Sequence, residues 1–135
     1  MSEQTPIERL LGQERALLER LEPGEAKAAV ETAAAVIVDT RSHEQRVAGG
    51  IVPGSIRVHR NVLEWRVDPS SGWYDERFRE FTGPLIVMCQ QGFSSSLAAA
   101  TLQRLGVSSA TDMVGGFEAW AAAGLPVEPL ADGIE

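Results

Sequence analysis

Only one residue in this chain is built for nucleophilic sulfur chemistry, and that is Cys89. It stands at the end of an apolar run and opens Cys89-Gln90-Gln91-Gly92-Phe93-Ser94-Ser95-Ser96, where a glycine permits a tight loop and hydroxyl residues follow. If a strand ends at the cysteine and a helix begins at the serines, the backbone N–H groups between them converge on the thiol. The helix N-terminus adds positive potential there. Both effects favour thiolate over thiol, which makes a nucleophile near neutral pH and a cradle for an attached sulfur anion. The competing reading is a small buried hydrophobe at a strand end. With a single cysteine there is no internal disulfide and no resolving partner within the chain.

The flanking pattern supplies the elements that would hold such a loop. Leu85-Ile86-Val87-Met88 reads as a buried strand running directly into Cys89, and Ser95 to Leu105 reads as a helix with Leu97, Thr101, Leu102 and Leu105 on one face, ended by Gly106. Ala35-Val36-Ile37-Val38, closing on Asp39, is a second apolar strand. Pro53-Gly54 turns the chain into a short strand from Ser55 to Val58. Residues 60–83 read as short helices and loops, and residues 110–114 as a last strand. After Gly115-Gly116 a final helix runs through Trp120 to Gly124-Leu125-Pro126. Strands alternating with helices predict a parallel sheet covered on both faces. Upstream, Ile7, Leu10, Leu11, Leu17, Leu18 and Leu21 predict a helix over residues 5–21, with Thr5 and Pro6 as cap and first residue. This is an N-terminal extension or a dimerisation helix. Its charges, among them Glu14, Arg15, Glu19 and Arg20, read as a solvated face. An alanine-rich helix follows from Gly24 to Thr32.

Three stretches in order resemble the rhodanese-like family of sulfurtransferases. Val36-Ile37-Val38-Asp39-Thr40-Arg41, then Glu44 and Ile51-Val52-Pro53-Gly54-Ser55-Ile56, are similar to its first half. Cys89-x-x-Gly92 sits where its active-site loop belongs. Val114-Gly115-Gly116-Phe117-Glu118-Ala119-Trp120 with Ala123-Gly124-Leu125-Pro126-Val127 resembles its C-terminal signature. The resemblance implies a three-layer α/β sandwich, with a central parallel sheet of four or five strands and helices on both faces. It divides the chain into an N-terminal helical extension, residues 1–22, and a rhodanese-like domain, residues 23–130. It also implies that Cys89 takes the outer sulfur of a thiosulfate- or persulfide-type donor and passes it to a thiol or cyanide, with no cofactor and no metal. Gln90, Gln91, Gly92, Phe93, Ser94 and Ser95 would form the substrate cradle. Asp39 and Arg41 would support it as a structural pair or by bonding nearby loops, while Gly115 and Gly116 would let the neighbouring loop come close.

Two departures stand out. The family's loop usually reads Cys-x-x-Gly-x-Arg-Ser, and here Ser94 replaces the arginine. Gly50-Ile51-Val52-Pro53 carries one residue more than the family's Gly-His-Ile-Pro and lacks its histidine. Arg57, Arg60 and Arg66 are candidates to restore the missing charge, against the plainer reading as surface charges. Trp65 and Trp73 are candidates to wall the pocket, and Phe93 to shape its mouth. His43 and His59 lack metal-ligand spacing with Cys89.

Composition narrows the alternatives. Twelve basic residues against nineteen acidic give a net charge of −7, which disfavours nucleic acid as a partner. No apolar run reaches the roughly 18 residues that would cross a bilayer. The N-terminus lacks the blocks of a signal peptide, so the expected location is cytoplasmic. A non-catalytic rhodanese-like binding or regulatory module is the main alternative. A phosphatase on the same fold is a weaker one, because its loop, Cys-x5-Arg, would put the oxyanion-binding arginine where Ser95 stands.

Overall fold

The computed structural model describes residues 3–131. Helix α1, Pro6–Arg15, starts with a capping box: the Thr5 hydroxyl accepts from the Glu8 amide at 3.2 Å, and the Thr5 amide donates to the Glu8 carboxylate at 2.9 Å. It ends well before Leu21, short of the expected span. The chain turns through Leu17 and Leu18, and Leu21 then forms an isolated parallel bridge with Met113. Hydrogen bonds to a sheet edge, available only in the folded molecule, take this backbone out of the helix.

Then follow α2 (Pro23–Thr32), β1 (Val36–Asp39), α3 (His43–Gly49), β2 (Ile56–Arg57) and α4 (Leu63–Val67), and after them β3 (Leu85–Met88), α5 (Ser94–Arg104), β4 (Ala110–Asp112) and α6 (Gly116–Ala122). Single 3₁₀ turns at Arg60–Val62 and Glu76–Glu80 fill the stretch expected to hold short helices. The sheet is wholly parallel in the order β2-β1-β3-β4. No described helix is long and apolar enough to cross a membrane.

Side-chain alternation sorts the core into two halves. Val36, Val38, Leu85 and Val87 face α4 and α5, where Leu63, Val67, Ala98, Ala99 and Leu102 pack. Ile37, Ile86 and Met88 face Ala26 of α2 and Phe117 and Trp120 of α6. The Trp120 indole donates to the Pro126 carbonyl at 2.8 Å, anchoring the last helix. On α5 the buried face is Ser95, Ser96, Ala98, Ala99 and Leu102. Leu105, expected on that face, is exposed because the helix has ended and Gly106 takes the turn.

The chain lays β2 on one side of β1 and then returns to lay β3 on the other. The carboxyl ends of β1 and β3 therefore flank a topological switch point, where open α/β sheets place their ligands. Asp39 and Met88 are register partners at that edge, and Cys89 is the next residue.

Candidate active site

Cys89 is 7% exposed and its thiol is free. Its sulfur accepts from the amide of Gly92 at 3.1 Å and from the amide of Ser95 at 3.4 Å. Burial pushes the thiol's pKa up. Hydrogen bonds from the hydroxyl and amide of Ser95, the hydroxyl of Ser94 and the amide of Gly92 outweigh it, so the pKa lies below the ordinary value. The Ser95 hydroxyl has one proton and a second claimant, the Asp112 carboxylate at 2.9 Å. The amides of Gly92 and Ser95 have no second acceptor of this kind among the described residues.

The loop owes its shape to glycine. Gly92 has φ +85°, and a Cβ there would lie 2.7 Å from the Gly115 amide nitrogen. Gly116, at φ +61°, packs flat against the Cys89 carbonyl and the Gly92 amide. This contact lets the first amides of α6 reach the loop: Phe117 donates to the Cys89 carbonyl at 2.9 Å and Glu118 to the Gln90 carbonyl at 3.0 Å.

The six cradle residues are brought together, but mainly through their backbone. Gln90 and Gln91 turn their amides to the Glu118 carboxylate, at 3.1 and 3.5 Å, away from the sulfur. Phe93 is 56% exposed at the rim. Ser95 points its side chain down to Asp112.

Behind the loop, Asp39 is fully buried and receives a fork from Arg41 (Nε 3.0 Å, Nη2 2.9 Å), the Arg41 amide at 3.0 Å and Arg46 Nε at 3.2 Å. Arg41 stacks 3.8 Å from the centre of the Phe117 ring and donates to the Gly50 carbonyl at 2.8 Å. The pair thus ties β1, α6 and the residues before β2 into one support. The longer Gly50–Pro53 segment is pinned by an antiparallel bridge between Ile51 and Glu128.

The candidates for a replacement cation are each bonded to other groups. Arg60 is forked on Glu64 at 2.9 and 3.0 Å, Arg66 donates to the Trp73 carbonyl at 3.2 Å, and Arg57 donates to the Arg41 carbonyl at 3.0 Å. Trp65 lines a surface cleft with Glu64, Asp68, Ser71 and Leu105. That cleft lies at the C-terminal end of α5, roughly 15 Å along the helix from Cys89. Trp73 is exposed, its carbonyl held by Arg66.

Arg15, Arg20, Ser96 and Asp112 were not legible as site residues. Asp112, fully buried, accepts from Arg20 Nε at 2.8 Å, Ser95 Oγ at 2.9 Å and Ser96 Oγ at 2.8 Å. The Gly92 carbonyl accepts from Arg15 at 2.9 Å and Arg20 at 3.2 Å. The two arginines lie 72 to 92 residues from the groups they bond here, so no local spacing could announce them.

Comparison with known proteins agrees with this geometry. The thiosulfate sulfurtransferase GlpE of Actinobacillus succinogenes is 32% identical over 99 residues, covering 73% of this chain and 80% of that protein. A solved Rhodopseudomonas palustris protein of unknown function, named a possible tyrosine phosphatase, is 32% identical with a TM-score of 0.82, over 95% of this chain and 98% of that one. The polysulfide-sulfur transferase homodimer of Wolinella succinogenes shares the fold at 20% identity and a TM-score of 0.69, over 95% and 90% of the two chains. The model of the rhodanese-like domain matches residues 22–123, and with it the chain is placed: it belongs to the rhodanese-like family.

Proposed function

We propose that this protein is a sulfurtransferase that carries sulfane sulfur as a persulfide on Cys89. The observation that carries this reading is the pair of amides, Gly92 and Ser95, aimed at a buried sulfur whose pKa they help to lower. The thiolate attacks the outer sulfur of a thiosulfate- or persulfide-type donor. As the new S–S bond forms, the donor's own S–S bond breaks and sulfite, or a thiolate, leaves with the electron pair. The terminal sulfur of the Cys89 persulfide is an anion, which the loop amides and the α5 N-terminus stabilise. A thiolate or cyanide then attacks that terminal sulfur, and Cys89 departs as the thiolate it began as.

The name of the Rhodopseudomonas relative raises phosphoryl transfer as a second reading. The residue that would bind the oxyanion is Ser95, turned onto the buried Asp112 carboxylate, so the position offers no fixed cation for a phosphate. A purely binding module is opposed by the activated thiol, which a docking surface does not need.

Intact-mass measurement after incubation with thiosulfate, polysulfide and a small persulfide decides the matter. The wild type gains about 32 Da, one sulfur on the activated thiolate, with a competent donor, and Cys89→Ser gains nothing. Sulfur uptake by the serine variant would place the carrier elsewhere and overturn the reading.

A further inference from the structure

The segment before residue 22 lies outside the family match, yet it grips the active loop. The Gly92 carbonyl accepts from Arg15 Nη2 at 2.9 Å and Arg20 Nη2 at 3.2 Å. A trans peptide is planar, so a carbonyl drawn toward the two guanidiniums turns the N–H of Phe93 the opposite way, away from them. The amide of Gly92 itself is the one bonded to the Cys89 sulfur. The two arginines thus fix the loop at the glycine that gives it its turn, with φ +85°.

The grip is built rather than incidental. Arg15 Nε donates to Ser96 Oγ at 2.9 Å, Ser96 donates to Asp112, and Arg20 forks onto both Asp112 oxygens at 2.8 and 3.2 Å. The Leu21 amide bonds the Asp112 carbonyl at 3.1 Å, and the Glu19 carbonyl accepts from the Thr111 hydroxyl at 2.9 Å, fastening the segment to β4. Two cations face one carboxylate, so the network keeps a net positive charge beneath a loop that has serine at residue 94. Charged groups also near the loop include Glu118 on α6, which accepts from Gln90 and Gln91, the Asp39–Arg41–Arg46 cluster after β1, and Arg57, which donates to the Arg41 carbonyl.

We propose that Arg15 and Arg20 are positioning residues for Cys89: from the N-terminal segment they hold the Gly92 carbonyl so that the loop amides face the sulfur, and they supply the positive charge that residue 94 does not. This rests on the reading of Cys89 as the sulfur carrier. It also makes the segment part of the active site. Burial and the neighbouring Arg20 lower the pKa of Arg15, and attraction to Asp112 and to Cys89 opposes this.

The test is the pH dependence of Cys89 alkylation by iodoacetamide, a neutral probe, in the full chain. Arg15 is the cleaner position, because removing Arg20 strands a buried carboxylate. Arg15→Met raises the midpoint of the alkylation profile by about half to one pH unit and slows alkylation at pH 7 roughly three- to tenfold. Arg15→Lys, which restores charge without the fork, recovers part of that shift. Arg15→Gln, which keeps a polar side chain without the charge, shifts the midpoint in the same direction and serves if Arg15→Met does not fold. Folded variants that keep the wild-type midpoint would overturn the proposal. Sulfur uptake by the wild type is read separately by mass, so failure of the carrier reading and failure of this one give different results.

Discussion

Gly116 stands so close to the carbonyl of Cys89 that a Cβ on it would overlap the oxygen and come within 2.8 Å of the Gly92 amide nitrogen. Its φ of +61° adds backbone strain for any L side chain. Gly116→Ala is therefore expected to cost about 1–3 kcal/mol of stability in urea unfolding and to slow Cys89 alkylation, because the loop must move off α6. A variant with wild-type stability and reactivity would show that the close approach is not required.

The lowered thiol pKa has two measurable consequences. The rate of Cys89 alkylation against pH should have its midpoint below that of an ordinary thiol. The second concerns stability. A group whose pKa is depressed in the folded state stabilises the fold above its unfolded pKa, and that contribution is lost as pH falls through the folded pKa. The stability of wild type relative to Cys89→Ser should therefore rise across the window from the lowered native pKa up to about 8.5, and level off beyond it. A flat difference would mean that the loop does not prefer the thiolate.

Ser94→Arg restores the charge found in the usual loop of the family. A guanidinium can bind a sulfonate by two parallel charge-assisted hydrogen bonds, where serine offers one neutral donor. The expected effect is a KM for thiosulfate lower by on the order of tenfold, about 1.4 kcal/mol, with much less change for an uncharged persulfide donor. If thiosulfate kinetics do not respond while Cys89 stays reactive, the absent side-chain contact to the sulfonate does not limit thiosulfate binding.

Among the described residues, Asp39 is the carboxylate bonded to two buried guanidiniums, those of Arg41 and Arg46. Asp39→Asn leaves both without it and should cost about 3–5 kcal/mol in urea unfolding, the range for breaking a buried pair by removing one partner. A loss below about 1 kcal/mol would show the cluster to be hydrated or rearranged in solution.

Much of the architecture was legible in the chain. The strands at residues 36–39 and 85–88 announce themselves as short apolar runs because both faces are buried, and Cys89 and Gly92 follow at a spacing that only a tight loop uses. The glycine pair at residues 115 and 116 was equally readable, since a close approach of two backbones needs residues without side chains. These are local signals, set by a residue's own burial or its own backbone. The roles of Arg15, Arg20 and Asp112 were not. On the sequence the arginines look like the solvated side of an amphipathic helix, and only the docking of Leu21 against β4 ends that helix and carries both guanidiniums to the Gly92 carbonyl. The cradle's substitution of backbone for side chains was hidden for a similar reason. Whether Gln90 or Ser95 points at the sulfur depends on Glu118 and Asp112, which lie 28 and 17 residues away from them and reach the loop only once the sheet has assembled. Sequence alone determined the candidate nucleophile and its loop, because those rest on neighbours along the chain. The tertiary structure decided which charges surround them, because electrostatic partners are chosen by distance in space.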